Sequence, residues 1–210
     1  MLPYTLNLYY DYFINMTLRI LISIIAFLIG THLALSQTKK EKEERINLSE
    51  FPSKAQNVLS KFPKDCKRIK FFKETDGNKQ SFEAKFKYNE HRYSLEFSSE
   101  GIIEDLELCV KLNAIEDSSQ DQIKEHFKSS YLKYKLIKIQ KQFVFNQNLD
   151  SDTFVAQVLY QESTDIINYE IIAEVKTKDG RELREFTFNH KGFFINFRVV
   201  EPSSYEHVLY

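Results

Sequence analysis

Polar and apolar residues alternate along two stretches of the chain, residues 81–108 and 168–199. Alternation with a period of two predicts strands that bury one face and leave the other in water. In both stretches two such strands are followed by the pattern Phe-x-x-x-Gly, at 97–101 and at 188–192, and then by a third apolar run. The pattern therefore predicts an antiparallel meander that occurs twice.

A stripe of apolar residues with helical spacing precedes each meander. The stripes are formed by Ala55, Val58, Leu59 and Phe62, and by Ile123, Phe127 and Tyr131. The second unit also carries an insertion, 146–167, in which the apolar residues 154, 155, 158 and 159 suit a short helix or a strand. We expect an α+β fold: a tandem repeat of a helix plus a four-stranded antiparallel meander, with the helices on one face of a curved sheet. The repeats would span 48–113 and 114–202, with a tail at 203–210.

The N-terminal 36 residues have the character of a targeting segment. Arg19 precedes the apolar run 20–29, and the small residues Ala34 and Ser36 predict cleavage before Gln37. An uncleaved membrane anchor is the alternative, although the run is short for a membrane span. Residues 1–15 are unusual before a signal peptide, so we expect Met16 to be the true start. Residues 37–47 are rich in Lys and Glu and predict a charged tether that buries nothing.

Composition excludes few functions. The 210 residues carry a net charge of −1, which gives no argument for nucleic-acid binding. No phosphate-binding loop, nucleophile motif or C-x-x-C pair is present. The histidines are scattered without metal-ligand spacing, and Glu104 and Asp105, adjacent in a strand, point to opposite faces. We therefore predict no catalytic residues, no metal site and no cofactor.

The two cysteines, Cys66 and Cys109, invite a disulfide in an oxidising compartment. In a four-stranded meander, however, they would lie at opposite edges, roughly 14 Å apart, which is too far for a bond. Two free, packed thiols are the favoured prediction.

The outward face of the predicted sheet is mostly charged, with a few apolar exceptions. These exceptions are Ile103, Ile172, Phe194 and Val200, with Arg198 at their edge. They predict a partner-binding patch, unless the other repeat or the insertion covers them. A shift of one residue in the register would move them to the other face.

Three features of the chain together resemble tandem PepSY-like proteins, also described as beta-lactamase-inhibitor-protein-like (BLIP-like). They are the paired helix–strand segments 51–72 and 119–142, the strand that begins at Tyr169, and the two Phe-x-x-x-Gly turns. The resemblance covers roughly residues 48–200. It implies a secreted or periplasmic protein, often from Bacteroidetes-type bacteria, that binds rather than catalyses.

We therefore expect an exported, non-enzymatic protein-binding or inhibitor-like module that acts through its outer sheet face and turn loops on a protein of the cell envelope. Contact with a membrane is expected only if the signal is uncleaved. The alternative is a small-molecule carrier or enzyme with a pocket between helix and curved sheet. Glu104 and Arg184 are the inward polar residues that could line such a pocket.

Overall fold

The computed structural model describes residues 37–160 and 167–202, which belong to one compact unit, 37–210. The predicted signal peptide, its cleavage site, the start at Met16 and the tail lie outside these residues. In the described part of the chain, no helix is long and apolar enough to cross a membrane.

The described residues form ten strands and three α-helices. In chain order they are β1 (Gln37–Lys39), β2 (Glu41–Ile46), α1 (Ser53–Ser60), β3 (Lys67–Asp76), β4 (Lys79–Tyr88), β5 (His91–Ser98), β6 (Ile103–Cys109), α2 (Asp117–Ser130), β7 (Lys133–Val144), α3 (Ser151–Leu159), β8 (Asn168–Lys176), β9 (Arg181–Asn189) and β10 (Phe194–Val200). All ten strands belong to one sheet, in the order β1-β10-β9-β8-β7-β6-β5-β4-β3-β2. Every neighbouring pair is antiparallel except β1 and β10, which are parallel.

The sheet curls until it is nearly closed. Its two edge strands, β1 and β2, are consecutive in the chain and separated by Lys40 alone. The first half of this segment pairs with β10 and the second half pairs with β3. The backbone N–H of Lys40 donates to Asp76 Oδ1 at 2.9 Å, at the point where the two edges meet. The segment expected to be a charged tether is therefore the part of the chain that closes the sheet.

The predicted fold class was wrong, because the molecule is not a tandem repeat of a helix plus four strands. Strands β6 and β7 pair through a continuous register from Asp105–Val144 to Cys109–Gln140, so both halves share a nearly closed, barrel-like sheet. The insertion also crosses between the halves. Its helix α3 buries Phe154 and Leu159 in the same core as α1 and strands β3–β6. Neither half is an autonomous unit.

The helices cover one face of the sheet, as expected. The apolar stripe of α1 is buried at Ala55, Val58 and Leu59, and that of α2 at Ile123 and Phe127. Phe127 packs edge-on against Phe186 with ring centroids 4.7 Å apart. These contacts close the helix-covered face with aromatic and aliphatic side chains.

The N-terminal part of α2 is fastened to the turn between β9 and β10. Gly192 has φ +80, and a Cβ there would lie 2.2 Å from the carbonyl oxygen of Ser119. The Ser119 hydroxyl donates to the His190 carbonyl at 3.0 Å. Only glycine combines this backbone conformation with so close an approach, so the turn sits in a fixed position under the helix.

Candidate functional site: the enclosed polar face of the sheet

The face opposite the helices is lined with charged and amide side chains that are buried. They include Glu74, Ser81, Glu83, Ser94, Asp105, Glu107, Gln140 and Glu185. The alternating pattern assigned this face to water, because its residues are polar. In the structure the curl of the sheet encloses it. Burying so many carboxylates is costly unless each finds a cation, a hydrogen bond or a proton.

Two cations hold Glu185 at the closure of the sheet. Lys39 Nζ lies 2.6 Å from Glu185 Oε2, and Arg198 Nη2 lies 2.6 Å from Oε1. Arg198 Nη1 also reaches Asp76 Oδ2 at 3.0 Å. Burial by itself would raise the pKa of Glu185, but the charges of Lys39 and Arg198 outweigh it and lower that pKa to about 2. Glu185 is therefore an anion at neutral pH that ties β9 to the edge strand β1 and to its neighbour β10.

A third cation, Lys85, forms ion pairs with carboxylates on the β2–β4 side. It forms ion pairs with Glu43 and, at 3.1 Å, with Glu83, and its ammonium group lies 5.0 Å from the centroid of the Phe72 ring. The Ser94 hydroxyl also donates to Glu83. Although burial raises the pKa of Glu83, Lys85 brings it below its usual value. Lys85 thus compensates Glu83, whereas burial, followed by the charge of Glu83, raises the pKa of the neighbouring Glu74.

A third group of carboxylates has no such cation. Burial, followed by the negative charge of Glu170, raises the pKa of Asp105 to about 7. Burial, followed by the charge of Glu185, raises the pKa of Glu170 to about 7. The pKa values of Glu96 and Glu107 are likewise raised by burial, and next by neighbouring carboxylates. This part of the interior favours uptake of a positive charge, as protons or as a bound ion.

Hydrogen bonds position these carboxylates but do not satisfy them all. Gln142 Nε2 donates to Asp105 Oδ2 and to Glu170 Oε1, each at 3.1 Å. Gln140 donates to Glu107. The other oxygen of Asp105, Oδ1, is buried with no hydrogen-bond partner. The sequence pattern did not reveal this cluster, because it predicted that the polar residues alternating with the core residues of β5 and β6 would face solvent.

The five residues of the predicted partner-binding patch do not form a surface. Ile103 is buried in the helix-side core, while Ile172 and Val200 are buried together with Leu183. Arg198 is held in the ion pairs at the closure. Phe194 is partly exposed and stacks on His126 with ring centroids 4.3 Å apart.

For Ile103 and Phe194 the physical reason is a change of register that the pattern does not reveal. Irregularities between Glu96 and Phe97, and between Phe194 and Asn196, shift the alternation by one residue. Ile103, rather than Ile102, therefore faces the core, and Phe194 turns towards α2.

The same shift exposes an apolar turn, formed by Phe193, Phe194 and Ile195. Their exposed fractions are 52%, 39% and 50%. The Asn189 side-chain oxygen accepts from the backbone N–H groups of Lys191 and Phe193, each at 3.0 Å. These bonds, with the close contact at Gly192, fix the backbone of the turn that carries these three large apolar side chains.

The remaining candidate residues have ordinary structural roles. Cys66 and Cys109 are free thiols, and burial raises the pKa of Cys66 to about 11. Glu104 pairs with Lys79 at 2.8 Å. The Arg184 guanidinium lies 4.1 Å from the centroid of the Phe197 ring and pairs with Glu182.

Comparison with known proteins found no matching family model and no matching curated protein. Solved structures of similar shape include a DUF2874 family protein from Bacteroides ovatus, 9% identical, with a TM-score of 0.47, covering 71% of this chain and 87% of that one. A proposed periplasmic protein from Bacteroides eggerthii is 10% identical, with a TM-score of 0.46, and covers 71% and 88%. A BLIP-like protein from Bacteroides fragilis is 14% identical, with a TM-score of 0.43, and covers 70% and 86%.

The chain is thus similar to DUF2874 and BLIP-like proteins of Bacteroides, as the resemblance to BLIP-like proteins predicted, while a PepSY-like relationship is not shown. At these identities and TM-scores, no residue role or activity transfers to this chain.

Proposed function

We propose that this protein is an exported, non-enzymatic protein-binding module whose contact surface is centred on the apolar turn. The observation that carries the proposal is the exposure of Phe193, Phe194 and Ile195 on a rigid support. Large aromatic side chains that are held in one conformation lose little entropy on binding, and they dominate the energy of many protein interfaces. An inhibitor-like mode, in which this turn enters a cleft of the partner, is one form of such binding.

The other faces of the molecule favour this choice. The polar face of the sheet is enclosed, so its carboxylates do not reach a protein partner. The helix-covered face is packed with side chains, among them Phe127, Phe186 and Phe188, none of which is exposed. The same packing fills the space between helix and sheet that a small-molecule carrier would need.

The test is affinity capture from envelope extract of the host cell, with chemical cross-linking. The bait is the tagged protein, compared with the double variant Phe193→Ser/Ile195→Ser. Leu132→Ser is the matched control, because Leu132 is also apolar and is 71% exposed at another place. Far-UV circular dichroism and thermal unfolding establish that each variant is folded.

A protein that is retained by the native bait and by Leu132→Ser, but lost with the double variant, supports the proposal. Equal retention by all three baits would show that the turn is not the contact surface. If no protein is specifically retained by the native bait, the binding function itself is refuted.

A further inference from the structure

Three carboxylates converge inside the sheet, at Glu96 on β5 and at Asp105 and Glu107 on β6. Glu96 and Asp105 are direct cross-strand partners. Asp105 and Glu107 are two residues apart, so they project from the same face of β6. One oxygen from each of the three lies within 4.8 Å of the others. Like charges placed directly opposite each other destabilise a strand pair, so this arrangement calls for compensation.

The buried oxygen of Asp105 points to a missing ligand. Asp105 is only 8% exposed, and its Oδ1 atom has no hydrogen-bond partner. A buried carboxylate oxygen without a partner is rare in folded proteins and calls for an ion or a water. This observation is independent of the clustering, because it concerns the unsatisfied atom and not the number of acids.

The contrast with the other interior acids strengthens the argument. Glu83 has Lys85, and Glu185 has Lys39 and Arg198. Within residues 37–160 and 167–202, neither Glu96, Asp105 nor Glu107 forms an ion pair with Lys or Arg. A second triad, Glu41, Glu43 and Glu74, also has convergent oxygens, but two of its members are already paired, Glu41 with Lys39 and Glu43 with Lys85.

The donor set identifies the class of ion. Carboxylate oxygens are hard ligands that suit Ca²⁺ or Mg²⁺, and no His or Cys belongs to the triad. Two ligands on opposite sides of a Ca²⁺ ion, each at ~2.4 Å, are about 4.8 Å apart. Oxygens within 4.8 Å of one another can therefore share one coordination sphere of that size. We propose that Glu96, Asp105 and Glu107 bind a calcium-sized divalent cation inside the sheet, with water completing the coordination.

This site lies apart from the apolar turn, so it does not depend on the proposed protein-binding function. A cation here would bridge β5 and β6 next to the β6–β7 pairing that unites the two halves of the sheet. Ion binding should therefore raise the thermal stability of the whole barrel-like sheet by mass action.

The experiment is calorimetric titration of the full chain, first treated with EDTA and then dialysed, with CaCl₂ and separately with MgCl₂. Thermal unfolding is measured on the same samples. We expect saturable binding of one Ca²⁺ per chain, weaker binding of Mg²⁺, and a rise of several degrees in Tm at saturation. Asp105→Asn and Glu107→Gln keep the side-chain shape and should each weaken Ca²⁺ binding at least tenfold.

Two controls separate this site from its surroundings. Glu104→Gln changes the residue immediately before the ligand Asp105, whose own side chain pairs with Lys79, and should bind Ca²⁺ like the native chain. Glu41→Gln changes the second triad and should also bind normally. The proposal is overturned if the native chain shows neither heat nor a Tm change at millimolar Ca²⁺ and Mg²⁺. It is also overturned if Asp105→Asn binds as tightly as the native chain, or if Glu41→Gln abolishes binding.

Discussion

Arg198 joins β10 to β9 and, across the closure of the sheet, to β3, so its removal should destabilise the whole molecule. Its Nε and Nη2 atoms lie 3.1 and 2.6 Å from Glu185 Oε1, and Nη1 lies 3.0 Å from Asp76 Oδ2. The Glu185 side chain is 5% exposed. Arg198→Met keeps most of the apolar stem but leaves Glu185 with Lys39 as its remaining ion-pair partner.

The magnitude follows from the pKa of Glu185. Its pKa falls from 4.5 to about 2, with Lys39 and Arg198 as the causes that overcome burial. At ~1.4 kcal/mol per pKa unit, the two cations together stabilise the folded anion by roughly 3 kcal/mol at neutral pH. Removing one partner of a buried ion pair generally costs about 3–5 kcal/mol. We expect Arg198→Met to lower the free energy of unfolding by about 2–4 kcal/mol at pH 7.

The assay is urea-induced unfolding followed by far-UV circular dichroism, because the chain has no Trp. A double-mutant cycle combines Arg198→Met with Glu185→Gln, which removes the stranded charge and should recover at least half of the loss. Arg181→Met is the matched control. Its ion pair with Glu174 is exposed, with side-chain exposures of 64% and 42%, so its loss should cost under about 1 kcal/mol.

The loss of stability caused by Arg198→Met should depend on pH. Because the folded pKa of Glu185 is depressed, its contribution to stability is present above the unfolded pKa near ~4.3 and is lost as the pH falls towards about 2. The difference between native chain and Arg198→Met should therefore shrink over that range. If Arg198→Met costs no more than Arg181→Met, or if Glu185→Gln gives no recovery, the reasoning about the closure is refuted.

Three further predictions concern the fold. Gly192→Ala places a Cβ 2.2 Å from the Ser119 carbonyl oxygen and should lower Tm strongly. Gly77→Ala is the control, because the added Cβ there meets nothing within 4 Å, and comparable losses of Tm in the two variants would contradict the prediction. Phe127→Ala removes a fully buried ring and should cost about 3–5 kcal/mol in urea unfolding, and a cost under about 1 kcal/mol would mean that α2 is not packed as described. The chain unfolded without reductant should show two free thiols by Ellman titration, and a single disulfide in their place would be inconsistent with the structure. At pH 8, Cys66 should be alkylated more slowly in the folded than in the unfolded protein, because burial raises its pKa to about 11.

The sequence by itself determined most of the local structure. Alternation placed Phe82, Ala84, Phe86 and Tyr88 on the buried face of β4, and the structure confirms all four. Helical spacing found the buried stripes of α1 and α2. These features depend on neighbours a few positions away, so a period of two or of 3.6 residues is enough to reveal them.

The tertiary structure decided what the polar residues do. The Lys- and Glu-rich segment β1–β2 has no apolar side, and nothing local distinguishes a solvated tether from a strand that closes a sheet. Bulges on β6 and β10 reversed the predicted sides of Ile103 and Phe194, because one extra residue shifts the alternation without changing the composition.

The enclosed carboxylates show the same limit most clearly. Asp105 and Glu185 have the sequence pattern of ordinary water-facing residues on a half-buried sheet. Whether such a face meets solvent or an enclosed interior depends on how far the sheet curls and on which strands pair across the chain. Both are set by contacts between residues distant in sequence, so the polar interior and its candidate cation site became visible only once the strands were paired.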